Sequence, residues 1–202
     1  LSLHDALPIL DTASVDVSIY IKPEVSVSSN APICEGGNLE LSTQILDGTV
    51  ATYTWTGPNG FSSSDKDPVI PFVTRDAIGT YELIVSSSDG CLDTASVDVS
   101  IYIKPEVSAS SNAPICEGGA LELSTSILDG TVATYTWTGP NGFSSSDKDP
   151  VIPFVTRAAI GTYELIVSSL DGCLDTASVD VSIYIKPAIS VSSNAPICEG
   201  GD

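Results

Sequence analysis

Five cysteines and a few closely spaced acids are the residues of this 202-residue chain whose types and spacing could do chemistry. Three cysteines sit in one octapeptide, NAPICEGG, at residues 30–37, 112–119 and 194–201, so Cys34, Cys116 and Cys198 each precede a Glu and two glycines. The other two, Cys91 and Cys173, each follow Asp-Gly. A catalytic thiolate needs a nearby base, and the single histidine, His4, belongs to neither setting. Zinc needs closely spaced ligands, and no Cys-x-x-Cys occurs. Structural disulfides formed in an oxidising compartment account for such cysteines better, so all five are expected to be disulfide halves. The acid pairs Asp65 and Asp67, around Lys66, and Asp147 and Asp149, around Lys148, are the calcium candidates. Calcium wants several convergent oxygens, and these pairs lack the density of a dedicated Asp-x-Asp-x-Asp-Gly loop. A solvated loop with its own neutralising lysine is the plainer reading. No catalytic residue and no cofactor is expected.

The spacing of these groups is set by a repeat, which has to be recognised before any fold is read. Residues 10–91 recur as 92–173 with a period of 82, and only five positions differ: Val27/Ala109, Asn38/Ala120, Gln44/Ser126, Asp76/Ala158 and Ser88/Leu170. A third copy begins at Leu174. The register breaks before Leu10: LSLHDALPI stands where LIVSSSDGC would continue the repeat backwards. Residues 1–9 resemble a translated sequencing-adapter tail and are set aside as non-native. The expected organisation is a last strand of a preceding repeat over 10–22, full repeats over 23–104 and 105–186, and the start of another over 187–202. The chain is expected to be a fragment of a longer array.

Twenty-six acids against seven Lys and Arg give a net charge of −19, which argues against nucleic acid and anionic membrane surfaces as partners. No apolar run approaches the roughly 18 residues of a membrane-spanning helix, so no membrane insertion is expected.

Within a repeat, apolar and polar residues alternate, and turn residues recur every eight to twelve positions, which predicts an all-β sandwich. Strands are expected over 24–29, 38–46, 51–57, 67–73, 79–85 and 92–103, the last as one continuous strand. Its even partners Val97, Val99, Ile101 and Ile103 should face the core, leaving Tyr102 outside, with Tyr20 and Tyr184 at the equivalent positions. Asp89-Gly90 should close a type I′ hairpin with positive φ at both residues. Trp55 and Trp137 alternate with outward threonines, which favours the core over a sugar-stacking platform. Lys22, Lys66 and Lys104 are expected in loops or junctions, away from buried acids.

A Trp on the third strand followed by Ala77-x-Gly79-x-Tyr81 resembles an immunoglobulin-like sandwich with its tyrosine corner. The second cysteine of that motif is here Leu83, so the usual disulfide between sheets is absent. The fuller pattern, P-x-C-x-G, then Y-x-W-x-G-P-N-G-F, A-x-G-x-Y and D-G-C, is similar to tandem immunoglobulin-like and PKD-like repeats of large Bacteroidota cell-surface proteins of the adhesin or gliding-motility type. The resemblance implies an extracellular or cell-surface location and tandem sandwich domains in a head-to-tail rod. It also implies a reading for Asp-Thr-Ala, which matches that phylum's short O-glycosylation sequon at Thr12, Thr94 and Thr176.

Two pairings remain open. Cys34–Cys91 and Cys116–Cys173 would each close 57 residues within a repeat. An immunoglobulin-type topology puts those positions at opposite ends of the sandwich, too far for a Cα separation under about 7 Å, which favours Cys34–Cys173 between repeats. The expected function is a structural stalk or spacer in an extracellular adhesin, not an enzyme, with neighbouring repeats as its first partners. The alternative is a weak, multivalent carbohydrate-binding module for surface glycans, with other cell-surface proteins as further partners.

Overall fold

A computed structural model describes residues 12–193 and Glu199. Residues 1–9 and Cys198 lie outside the described residues. The strands are β1 (Glu24–Ser29), β2 (Ile33–Cys34), β3 (Leu39–Asp47), β4 (Thr52–Thr56), β5 (Ser62–Ser63), β6 (Val69–Ile70), β7 (Gly79–Ser86), β8 (Leu92–Val99) and β9 (Ile101–Tyr102). They recur as β10 (Glu106–Ser111), β11 (Ile115–Cys116), β12 (Leu121–Asp129), β13 (Thr134–Gly139), β14 (Phe143–Ser145), β15 (Val151–Ile152), β16 (Gly161–Ser168), β17 (Leu174–Val181) and β18 (Ile183–Tyr184). The chain divides into two compact units. The first comprises residues up to Ala31, Leu39–Ile70 and Asp76–Val99; the second comprises Pro32–Asn38, Pro71–Arg75 and everything from Ser100. The second unit therefore takes two short segments from the first repeat's sequence.

The first unit holds a three-stranded sheet, β1-β3-β6, and a four-stranded sheet, β5-β4-β7-β8. Period two decides which side chains go in. On β3, Leu39, Leu41 and Thr43 are buried while Glu40, Ser42 and Gln44 are exposed. On β7, Tyr81, Leu83 and Val85 are buried between exposed neighbours. Trp55 is wholly buried, so the sugar-platform reading of the tryptophans gives way to core packing. The second unit repeats both sheets as β10-β12-β15 and β14-β13-β16-β17 and adds the pairs β2-β9 and β11-β18. Its two main sheets share one core, with Leu121 and Leu123 from one and Trp137, Leu165 and Val167 from the other. This two-layer arrangement is a β-sandwich.

Three local expectations are corrected. The last strand is not continuous: β8 ends at Val99, and Ile101–Tyr102 leaves to pair in parallel with Ile33–Cys34. In the hairpin, Gly90 alone takes positive φ, at 82°. Ser87 N–H donates to the Cys91 carbonyl (2.9 Å) and Gly90 N–H to the Ser87 carbonyl (3.1 Å), which makes a three-residue loop with glycine in the left-handed position instead of a type I′ turn. The strand expected over 67–73 shrinks to Val69–Ile70, because Pro68 and Pro71 flank it and neither can donate to a ladder.

Candidate functional site

The chemistry of the cysteines is settled in the second unit, where Cys34 and Cys173 form a disulfide with Cα atoms 5.6 Å apart. Cys34 ends β2, whose parallel partner is β9, Cys34 facing Tyr102. Glu35 N–H donates to the Tyr102 carbonyl at 2.9 Å, and Gly36 N–H donates to the Val73 carbonyl at 2.8 Å. Gly36 adopts φ +85°, and a Cβ on Gly37 would meet the Cys34 carbonyl at 3.0 Å. The two glycines of CEGG thus allow the chain to reverse tightly behind the cysteine. On the other side, Cys173 is buried, its N–H donating to Ser169 Oγ at 3.1 Å.

Beside the disulfide, Arg75 bridges two acids. Its Nε lies 3.5 Å from Glu35 Oε2, and its Nη2 pairs with Asp129. The Asp129 carboxyl is held below the usual range, first by the Gly130 N–H and then by Arg75. The Arg75 guanidinium is held above its own ordinary value, chiefly by Asp129. Nothing in the local sequence flags this pair, because 54 residues separate its partners. A disulfide with an ion pair beside it makes a covalent clasp. It offers no nucleophile, since both sulfurs are bonded.

Cys91 and Cys116 are free thiols, so the expectation that they too are disulfide halves is corrected for this chain: no cysteine among the described residues is left for them beyond each other. Cys116 is exposed and Cys91 half-buried.

The calcium candidates prove to be built into the sandwich. Asp67 Oδ1 accepts the Thr43 N–H at 2.7 Å, and the Lys66 carbonyl accepts both Thr43 Oγ1 (2.8 Å) and the Trp55 indole N–H (3.2 Å). Asp149, Lys148, Thr125 and Trp137 repeat the arrangement. Asp65 and Asp147 instead turn back on Ser63 and Ser145. Among the described residues no group of three or more potential metal ligands converges.

The lysine expectation is also corrected. Lys22 lies 2.8 Å from Asp93, and Lys104 lies 2.9 Å from Asp175, with each acid largely buried. Asp93 additionally accepts the Val25 N–H at 2.9 Å and Asp175 the Val107 N–H at 3.0 Å. Lys22 and the Val25 N–H lower the Asp93 pKa. Burial pulls Asp175 upward, but Lys104 and the Val107 N–H outweigh it and leave it lowered. The aspartate of Asp-Thr-Ala therefore ties a last strand to the start of a first one. Thr94 and Thr176 stand exposed on β8 and β17, and Thr12 is exposed outside any strand.

Tyr81 and Tyr163 donate their hydroxyls to the Ala77 and Ala159 carbonyls, both at 3.1 Å, which completes the tyrosine corner. Two sheets, a wholly buried Trp and this corner define an immunoglobulin-like β-sandwich. No protein-family model matches the chain, and no curated protein does. Among solved structures, murine CEACAM1b is 14% identical with a TM-score of 0.40, over 79% of this chain and 100% of that one. The amphioxus IgVJ-C2 molecule is 17% identical with a TM-score of 0.36, over 74% and 98%. The three N-terminal domains of the bacteriophage RB49 outer capsid protein Hoc are 18% identical with a TM-score of 0.38, over 80% and 59%.

Proposed function

We propose that these repeats are stalk or spacer modules of an extracellular surface adhesin, carrying a binding or anchoring domain at a distance and performing no catalysis. The observation that carries this reading is the Cys34–Cys173 disulfide, which joins a cysteine of one repeat's sequence to a cysteine of the next. A bond that crosses the repeat boundary secures the relation between copies, which a spacer needs, and does nothing for a module that works alone. Near-identity of the copies fits the same task, since length needs repetition and not diversity. The extracellular setting follows from the disulfide. The experiment is small-angle X-ray scattering on chains with two, three and four full repeats. The maximum dimension should grow by a constant step per repeat, and a dimension that saturates overturns the reading.

One observation favours the carbohydrate alternative. In the second unit, Phe154 is 81% exposed at a positive φ of 54°. It stands beside a cavity of about 270 Å³ that Asn141, Phe143, Thr156 and Tyr163 also line. Saturable glycan binding that Phe154→Ala abolishes would move the assignment to a binding module.

A further inference from the structure

The Cys34–Cys173 clasp uses only half of the clasp-forming residues that the period supplies. Its parts are Cys34, Glu35 and Arg75 on one side and Asp129 and Cys173 on the other. Moving each by 82 residues gives Cys116, Glu117 and Arg157 for the first set, and Asp47 and Cys91 for the second. Among the described residues neither Arg157 nor Asp47 has an ion-pair partner, and both cysteines are free.

Both unused halves have the backbone of the used ones. Cys116 ends β11, faces Tyr184 across a parallel pair, and is followed by Glu117 N–H donating to the Tyr184 carbonyl at 2.9 Å. Gly118 N–H donates to the Val155 carbonyl at 2.8 Å, the same length as its counterpart at Gly36. Cys91 N–H donates to Ser87 Oγ at 3.1 Å, as Cys173 does to Ser169. Asp47 Oδ1 accepts the Gly48 N–H at 2.7 Å, as Asp129 does from Gly130.

We propose that Cys116 and Arg157 form a docking edge for a second copy of this chain, which presents its Cys91 and Asp47. Charge complementarity sets the polarity: Arg157 of one copy meets Asp47 of the other, as Arg75 meets Asp129. The contact is heterologous, so it does not close on itself and extends into linear multimers. The covalent step needs a two-electron oxidant, a low-molecular-weight disulfide. The Cys116 thiolate attacks that disulfide and releases one thiol, and the Cys91 thiolate of the second copy then attacks the mixed disulfide and releases the other. This inference concerns the free edges alone and stands whether or not the array is a stalk.

The test uses the 202-residue chain with Cys198→Ser, its Cys34–Cys173 bond intact, oxidised with glutathione disulfide and read on non-reducing gels with peptide mapping. The expected result is a ladder of whole-chain multiples linked Cys91–Cys116, absent in Cys116→Ser. Arg157→Asp should slow ladder formation about tenfold, because the steering charge is reversed, and adding Asp47→Arg should restore it. A chain that stays monomeric with both thiols free overturns the proposal. So does a statistical mixture of Cys91–Cys91, Cys116–Cys116 and mixed bonds, or a ladder indifferent to the charge swap.

Discussion

At Gly139 the backbone is extended, so glycine is not there for its dihedral freedom. It is there because a Cβ would fall 2.4 Å from the ring of Tyr163, itself buried and fixed through its hydroxyl. Gly139→Ala should destabilise the second unit by about 1–3 kcal/mol through overpacking, measured by urea unfolding. Tyr163→Phe should cost about 1 kcal/mol, the net worth of one hydrogen bond. Asp175 carries a pH dependence of defined sign. Its native pKa is depressed, so the folded state binds its proton less readily than the unfolded state does. The stability it contributes is complete above the ordinary carboxylate value near 4 and is lost as pH falls through the lowered native value. Unfolding curves at stepped pH should show a shallower acid loss for Asp175→Asn than for the parent, and equal slopes would refute the assignment.

Strands are where the sequence was most readable, and the reason is mechanical. Alternation along Leu39–Asp47 and Gly79–Ser86 reports burial directly, because neighbouring side chains must take opposite faces. The splitting of the last strand was not readable, since Val97, Val99, Ile101 and Ile103 keep one parity across a change of partner. Asp89-Gly90 misled for a related reason. The dipeptide suits two hairpin classes, and the five-residue spacing from Ser87 to Cys91 decides between them. At this scale the clasp makes its own prediction. The Cys34–Cys173 bond spans 139 residues, and in the chain-entropy account its removal by Cys173→Ser should cost about 4–5 kcal/mol. Alkylation of the unfolded chain before reduction should label Cys91 and Cys116 and spare Cys34 and Cys173, and denaturant unfolding of the two forms measures the cost.

For the whole molecule, the governing quantity is the net charge of −19. Self-repulsion at that charge opposes the compact state, and 0.15 M salt shortens its range to about 8 Å. The unfolding temperature should therefore rise between 10 and 150 mM sodium chloride, and a fall would mean that the ion pairs at Arg75, Lys22 and Lys104 outweigh the repulsion. Much of the clasp was legible once the 82-residue period was known, because the period fixes which cysteines are equivalent. Its ion pair was not, because Arg75 and Asp129 each look like an ordinary surface charge until the fold brings them together. The aspartates of Asp-x-Asp and Asp-Thr-Ala were misjudged alike. Their backbone partners, Thr43 and Val25, lie 24 and 68 residues away.

The same disulfide changes what a break in the backbone means. Phe72 sits 78% exposed between Cys34 and Cys173, in a stretch that a chymotrypsin-like protease could reach. A cut there, or anywhere else between the two cysteines, produces two fragments that remain one molecule until a reductant arrives. On a non-reducing gel the nicked chain should run as a single species, and on a reducing gel as two. Severing this chain therefore takes two chemistries, hydrolysis and reduction, and an environment that supplies only proteases leaves it whole.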